Sequence, residues 1–424
     1  NFVEGMYMGI EGGGSDVRIA CNKVYKTQFG MLSNSGGKGW LIERNGIERQ
    51  FQHRAGDCDY SRMWGQEHLI RHNRYYATQR SEVGKAHLDC VQSFNVKKDN
   101  PGMFLHHLTF EGNVCDSFSQ VFMLSTSTPG THHHFTFKGN IMYNSGSWGF
   151  CVKTIPDCTA VNNTFAGIKW YGFGNAGAER GRANYNLYAS INTPYTTGPG
   201  FEGKGNLVFD CENPPKEPAA GEMIQGDPKF VDAAKGNFRL TAGSAAIDAG
   251  PDGLDIGALE YPNVYYVDAE HPGADDEGFG YVGWPFKTVA KACSVAQAGE
   301  TIMLRGGTYR ETIKPQADGV TIRAMADETV TVSGADLVTE WKRDGEVWAA
   351  AMETAPAKLL VDGKPSESVA YDAAAKRVVA RSMDPRLHTV EAVVRERAVD
   401  LTGRKDVRVD GLNCADTLGE PVAK

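Results

Sequence analysis

Ile19-Ala-Cys-Asn22-Lys-Val24, Ile42-Glu-Arg-Asn45-Gly-Ile47, Ile70-Arg-His-Asn73-Arg-Tyr75, Phe110-Glu-Gly-Asn113-Val-Cys115 and Phe137-Lys-Gly-Asn140-Ile-Met142 share one frame: apolar, two variable, Asn, one variable, apolar. Weaker copies stand at Asn163 and Asn186, and the Asn-to-Asn intervals are 23, 28, 40, 27, 23 and 23. A repeat of this period with variable insertions is the signature of a solenoid. Within each copy, short β-runs are separated by Gly, Asn and Ser turns, and no stretch has the helical periodicity of a crossover helix. Parallel strands must then stack directly. This predicts an all-β right-handed parallel β-helix in which the Asn residues form a ladder, each amide bonded to the one above and the one below. Ordinary turn Asn residues in unrelated hairpins are the plainer alternative.

Working outward, the 424 residues allow two to three domains, and 41% apolar residues suffice for a sizeable core. Glycine, at 49 residues, is enriched as a turn-rich chain requires. A net charge of −8 has the wrong sign for a nucleic-acid partner. No apolar run is long enough to span a membrane. Nine scattered cysteines without a CxxC pair read as buried free thiols rather than a disulfide scaffold or zinc site. The chain opens at Asn1 without a charged-then-apolar leader. Any export signal is expected to have been removed or to lie upstream, and the chain reads as a fragment.

Coils are expected over 1–190. Over 191–262, Asp227-Pro-Lys-Phe-Val-Asp, Asn237-Phe-Arg-Leu, Ser244-Ala-Ala-Ile-Asp-Ala-Gly and Asp255-Ile-Gly-Ala-Leu-Glu-Tyr261 break the period. These phrases resemble the closing segment of secreted bacterial, pectate-lyase-like parallel β-helix proteins. From Val264 the pattern restarts: Tyr265-Tyr-Val-Asp, Trp284-Pro-Phe-Lys-Thr and Gly299-Glu-Thr-Ile-Met-Leu-Arg-Gly-Gly-Thr-Tyr-Arg310 resemble the opening of polysaccharide-active β-helix enzymes, including a parallel β-helix β-xylosidase family. The residues agree with a cap and first coils over 263–335. Pro285 suits a first helical turn, and Phe286, Val289, Ala290, Cys293 and Ala296 share a face, predicting one short capping helix near 285–297. Residues 336–403 read as an inserted β-rich region, also a feature of that family, and 404–424 as a resumed coil. In the family, the catalytic carboxylates would follow Lys424. This order suggests two tandem modules; a permuted single helix is the other possibility.

Between residues 43 and 89, 19 of 47 positions are charged or His, against 107 of 424 overall. Asp59 and His87 each lie 14 residues after a coil Asn, which predicts stacked neighbours. Alternation turns Leu88 inward and His87 and Asp89 outward, so one outer face would carry Asp57, Asp59, His87 and Asp89, with Arg54 and Lys85 on flanking turns. Such a carboxylate cluster needs calcium, a shared proton or a nearby Arg, unless it is a plain solvated face with paired signs. A loop over 95–102 would wall a groove beside it. The expected catalytic set is Asp59, His87, Asp89, Lys85 and Arg54; the expected substrate contacts are Asp57, Arg62, Gln92, Gln120 and Lys153, with Trp148, Trp170 and Tyr171 able to stack on sugar rings. His132-His-His134 shares a face in part but lacks a third ligand, and reads as a solvated loop rather than a metal site.

These features point to an extracellular, monomeric, carbohydrate-active protein with a polysaccharide substrate. As a lyase it needs His87, Lys85 or Arg54 as base and a cation or Arg at the uronate carboxyl. As a glycosidase it needs two carboxylates, for which Asp59 and Asp89 are the best pair. A non-catalytic glycan-binding or surface module is the rival reading.

Overall fold

A computed structural model describes every residue except 35, 96–102, 127–129, 419–421 and 424. The expected wall at 95–102 therefore lies, beyond Asn95, outside the described residues. Two compact units emerge: residues 1–264 with 270–285, and residues 265–269 with 286–424.

The first unit is a parallel β-helix. One sheet stacks Arg18–Ala20, Leu41–Glu43, Leu69–Arg71, Leu105–Glu111, His132–Lys138, Cys158–Val161, Arg182–Asn184 and Glu202–Lys204 in parallel. Just past the Asn of each coil, a second face stacks Lys23–Tyr25, Gly46–Glu48, Arg74–Tyr76, Val114–Thr126, Ile141–Cys151, Thr164–Ile168, Leu187–Ala189, Asn206–Phe209 and Met223–Gln225. A third face holds Met8–Gly12, Phe29–Ser33, Asp59–Arg62 and Asp89–Asn95, and joins the second where Val114–Thr126 and Ile141–Cys151 run long enough to serve both. Parallel stacking continues past residue 190 through Met223–Gln225, and the antiparallel pair Phe230–Asp232 and Asn237–Leu240 follows.

The repeat frame is physical. Ile19, Ile42, Ile70, Phe110, Phe137 and Ala160 fall in register and are buried in one continuous core. Between the two sheets, Asn22, Asn45, Asn73, Asn113, Asn140, Asn163 and Asn186 each donate Nδ2 to the Oδ1 of the next Asn, at 2.9–3.1 Å, with Asn206 closing the series. Each Oδ1 also accepts the preceding coil's backbone N–H, and from Asn45 onward Nδ2 reaches a carbonyl of that coil. Buried amides so paired avoid the cost of an unsatisfied polar group and lock the coil register. Residues 270–285 return to this unit: Arg74 donates to the Gly273 carbonyl at 2.9 Å and lies 3.7 Å from the Trp284 ring.

In the second unit, Thr301–Leu304, Thr321–Ala324 and Arg408–Asp410 stack in parallel, as do Gly307–Tyr309, Val330–Ser333 and Leu412–Ala415. Antiparallel strands fill 335–393 between them. The expected helix spans Val289–Val295, shorter than its amphipathic stretch and without Pro285 in its first turn. Thr288 is its N-cap, accepting from the Lys291 N–H, and Val289, Ala292 and Cys293 enter the core beside Ile302 and Leu304. Among the described residues, no helix is long and apolar enough to cross a membrane.

Candidate functional site

The third face brings the charged residues together, but in a different register from the one counted from Asn. Arg62 opposes Gln92 and the Asp89 N–H donates to Asp59 Oδ1 at 3.3 Å, so Asp59 stacks on Asp89, while the His87 carbonyl accepts from Cys58. The cause is a two-residue difference in insertion. Asp59 lies 14 residues after Asn45 but Asp89 lies 16 after Asn73, the longer loop including the helical turn Arg80–Val83. Asp59 and His87 are not stacked neighbours.

Asp89 opposes Gln120, and Gln120 opposes Trp148, so one column runs Asp59, Asp89, Gln120, Trp148. Leu88 points into the core and His87 is exposed, as alternation requires. Asp59 and Asp89 leave the core side too, yet both are 0% exposed. Arg62 helps cover them: its guanidinium lies 4.1 Å from the Phe29 ring and 5.5 Å from Phe94, with Nε 2.6 Å from Asp59 Oδ2 and Nη2 3.4 Å from Asp57 Oδ2. Of the three ways to neutralise this cluster, Arg62 supplies one from within the chain. Burial pushes the Asp59 carboxyl up to about 7, with Arg62 opposing the rise. Burial, then the Asp59 charge, also raises the Asp89 carboxyl. Gln92 donates to Asp89 Oδ2 at 3.1 Å, and Asp89 Oδ1, Gln92 Oε1, Gln120 Oε1 and Trp148 Nε1 are buried without a hydrogen-bond partner.

Beside this column, over three successive coils, opens a cleft of about 440 Å³. Thr78, Arg80, Lys85 and His87 line one side, and Ser119, Gln120, Asn144 and Ser147 the other. Among the described residues, none that lines it is acidic, although the chain as a whole carries −8. Of the expected catalytic set, Lys85 and His87 reach this cleft. Asp59 and Asp89 are buried behind it, and Arg54 is elsewhere, its guanidinium 4.4 Å from the Tyr7 ring. Of the expected substrate contacts, Gln120 lines the cleft; Gln92 is buried beside Asp89, and Arg62 joins Asp59 to the partly exposed Asp57. Lys153 stands 4.9 Å from the Trp148 ring and 5.4 Å from Tyr171, and Trp170 is exposed. Sequence reasoning missed Arg80, which lies within the charge-rich stretch but outside the alternation frame.

The His triplet is not a loop. His132–His134 opens the strand His132–Lys138, with His132 buried against Ser93 Oγ at 3.2 Å and lowered to about 4 by that burial. A third imidazole comes from the coil before: one nitrogen each of His107, His133 and His134 lie within 4.8 Å of one another. Repeat bookkeeping could have found it, because His106 and His133 each lie seven residues before a coil Asn.

No family model matches the chain. Over 68 residues it is 38% identical to the uncharacterized protein YwoF of Bacillus subtilis (strain 168), a match covering 15% of this chain and 14% of that protein. Among solved structures it is similar to XylC in complex with xylose, at TM-score 0.30 and 20% identity over 37% of this chain and 36% of that one. It is also similar to the PL6 family alginate lyase AlyGC, at TM-score 0.22 and 9% identity over 78% of this chain and 66% of that one.

Proposed function

We propose that the first unit binds an extracellular acidic polysaccharide across its coils and cleaves it by β-elimination. The observation that carries this reading is the cleft lined by Arg80, Lys85 and His87, with no acidic residue among the described ones. Such a lining favours a carboxylate-bearing chain over a neutral one. Arg80 and Lys85 would hold the uronate carboxylate, drawing charge from the adjacent carbon. His87 would take the proton from that carbon, imidazole being the side chain suited to accept one near neutral pH. The freed electron pair forms a carbon–carbon double bond, and the glycosidic oxygen departs and is protonated by water. Lys153, Trp148 and Tyr171 would extend the binding path by stacking and charge. The glycosidase alternative has less support, because Asp59 and Asp89 are both fully buried and Arg62 is bonded to Asp59.

The test is incubation of the chain, as a monomer, with alginate, pectate and xylan, with calcium added or chelated. The readouts are ultraviolet absorbance of unsaturated products and new reducing ends. Unsaturated products from a polyuronate that vanish in His87→Ala support elimination. Reducing ends without unsaturation would replace it with hydrolysis. Retained polyuronate binding without either product would leave a glycan-binding module.

A further inference from the structure

The turn that leads into the strands Leu105–Glu111 and His132–Lys138 carries a second constellation, unrelated to the cleft. Counting back from each coil Asn, residues at the same two positions are Gln66-Glu67, His106-His107, His133-His134 and Pro156-Asp157. The backbone stacks them: the Glu67 N–H donates to the His106 carbonyl at 3.1 Å, His106 opposes His133, and the His134 N–H donates to the Pro156 carbonyl at 3.3 Å. Glu67, His107, His134 and Asp157 all adopt left-handed backbone, φ 53 to 59°, a conformation that repeats from coil to coil and superposes their side chains. The His106 ring lies 4.7 Å from the His133 ring and the His107 ring 4.7 Å from His134. Nδ1 of His106 is 2.9 Å from Nδ1 of His107, and Nδ1 of His133 is 2.7 Å from Nδ1 of His134.

We propose that His107, His133 and His134, backed by His106, bind one divalent transition-metal ion of the imidazole-preferring class, Cu²⁺, Ni²⁺ or Zn²⁺. A metal–imidazole bond of about 2.0–2.1 Å puts neighbouring ligand nitrogens about 3 Å apart around one ion. The 2.7 Å separation in His133–His134 is already close to this, and the 4.8 Å span of the three-residue set closes with small rotations of partly exposed rings. Among the described residues this is the group of three His, Cys, Asp or Glu side chains whose ligand atoms converge. The carboxylates above and below have cationic partners: Glu67 lies 3.4 Å from Lys38, and Asp157 takes two bonds from Arg180, at 2.8 Å each, with its Oδ2 3.8 Å from His134 Nδ1. The three converging ligand atoms are all imidazole nitrogens, which suits these ions over the oxygen-seeking Ca²⁺ and Mg²⁺. The ion would fasten the coil of Leu105–Glu111 to that of His132–Lys138.

Titration calorimetry of the chelator-treated full chain with NiCl₂, and separately ZnCl₂, tests the site. One ion per chain is expected. Loss of a supporting outer-shell partner alone weakens metal sites about 10–100-fold, so His107→Asn and His134→Asn should each weaken binding by at least about tenfold, and His53→Asn not at all. Asn is chosen because it tolerates the left-handed backbone of both positions. Equal affinity in wild type and His107→Asn would overturn the three-ligand site, as would binding that His53→Asn weakens equally. A readout without variants is the electron paramagnetic resonance of the Cu²⁺-loaded wild type. Coupling to three or more imidazole nitrogens is expected, and coupling to fewer would refute the proposal.

Discussion

Replacing Asp59 by Asn should remove a pH-dependent loss of stability from the first unit. Burial pushes this carboxyl from its ordinary 3.8 up to about 7. Between those values the folded state holds a proton that the unfolded chain has released. Stability from this group is therefore complete below about 3.8 and is lost as pH rises through about 7. At about 1.4 kcal/mol for each pH unit separating the two values, the loss is bounded at about 4 kcal/mol. Asn is nearly isosteric with the protonated acid, keeps an oxygen for the Asp89 N–H and has no proton to lose. The assay is urea unfolding of wild type and Asp59→Asn from about pH 4.5 to about pH 8, followed by tryptophan fluorescence. Groups that do not feel the Asp59 charge cancel in the difference between the two proteins; Asp89, which does feel it, titrates with Asp59 and its response is part of the difference. Asp59→Asn should gain on wild type over that range as pH rises, by up to about 3.5 kcal/mol. Parallel curves would refute the burial argument. A variant that falls behind with rising pH would show that the Asp59–Arg62 ion pair outweighs its desolvation, the reverse of the balance argued here.

His132 provides the opposite slope. Burial lowers it from 6.5 to about 4, so its contribution is complete above pH 6.5 and is lost as pH falls through about 4, and His132→Gln should flatten acid unfolding over that window. Asn113→Ala removes the Nδ2 bonds to the Ile70 carbonyl and Asn140 Oδ1 and orphans the Asn73 N–H; a loss of about 3 kcal/mol or more by urea unfolding is expected, and a loss under about 1 would sink the ladder argument. A Cβ on Gly172 would meet the Pro194 carbonyl at 2.6 Å and the Tyr188 ring at 2.7 Å, so Gly172→Ala should cost about 1–3 kcal/mol in the same assay. Polyuronate affinity should fall steeply with added salt and should fall further in Lys85→Ala, while the midpoint of thermal unfolding stays in place; salt-independent binding would contradict a charge-led cleft.

The contrast between Asn113 and Asp59 explains how much was legible before the fold was seen. The Asn frame repeats because each amide must meet its own kind one coil away, so the contact leaves a copy of itself in every repeat. A residue that follows an insertion has no such anchor. Asp59 and Asp89 stack across loops of different length, and only the backbone pairing of Arg62 with Gln92 shows that the count from Asn slips by two. Exposure was also hidden from the linear pattern. Alternation turned Asp59 and Asp89 outward correctly, but the guanidinium of Arg62 spread over Phe29 helps make that outer face a buried one.

The sequence by itself determined the parallel coil stack, its Asn ladder, the inward residues and the charge-rich stretch from which the cleft is built, because period and alternation are local properties. Tertiary structure alone decided which side chains meet: Arg80, Lys85 and His87 around one cleft, two carboxylates sealed behind it, and histidines of two coils facing one another. Stacking converts separations of 27 or 30 residues into distances of a few ångströms, and the register that does so is set by loop lengths that no single coil encodes.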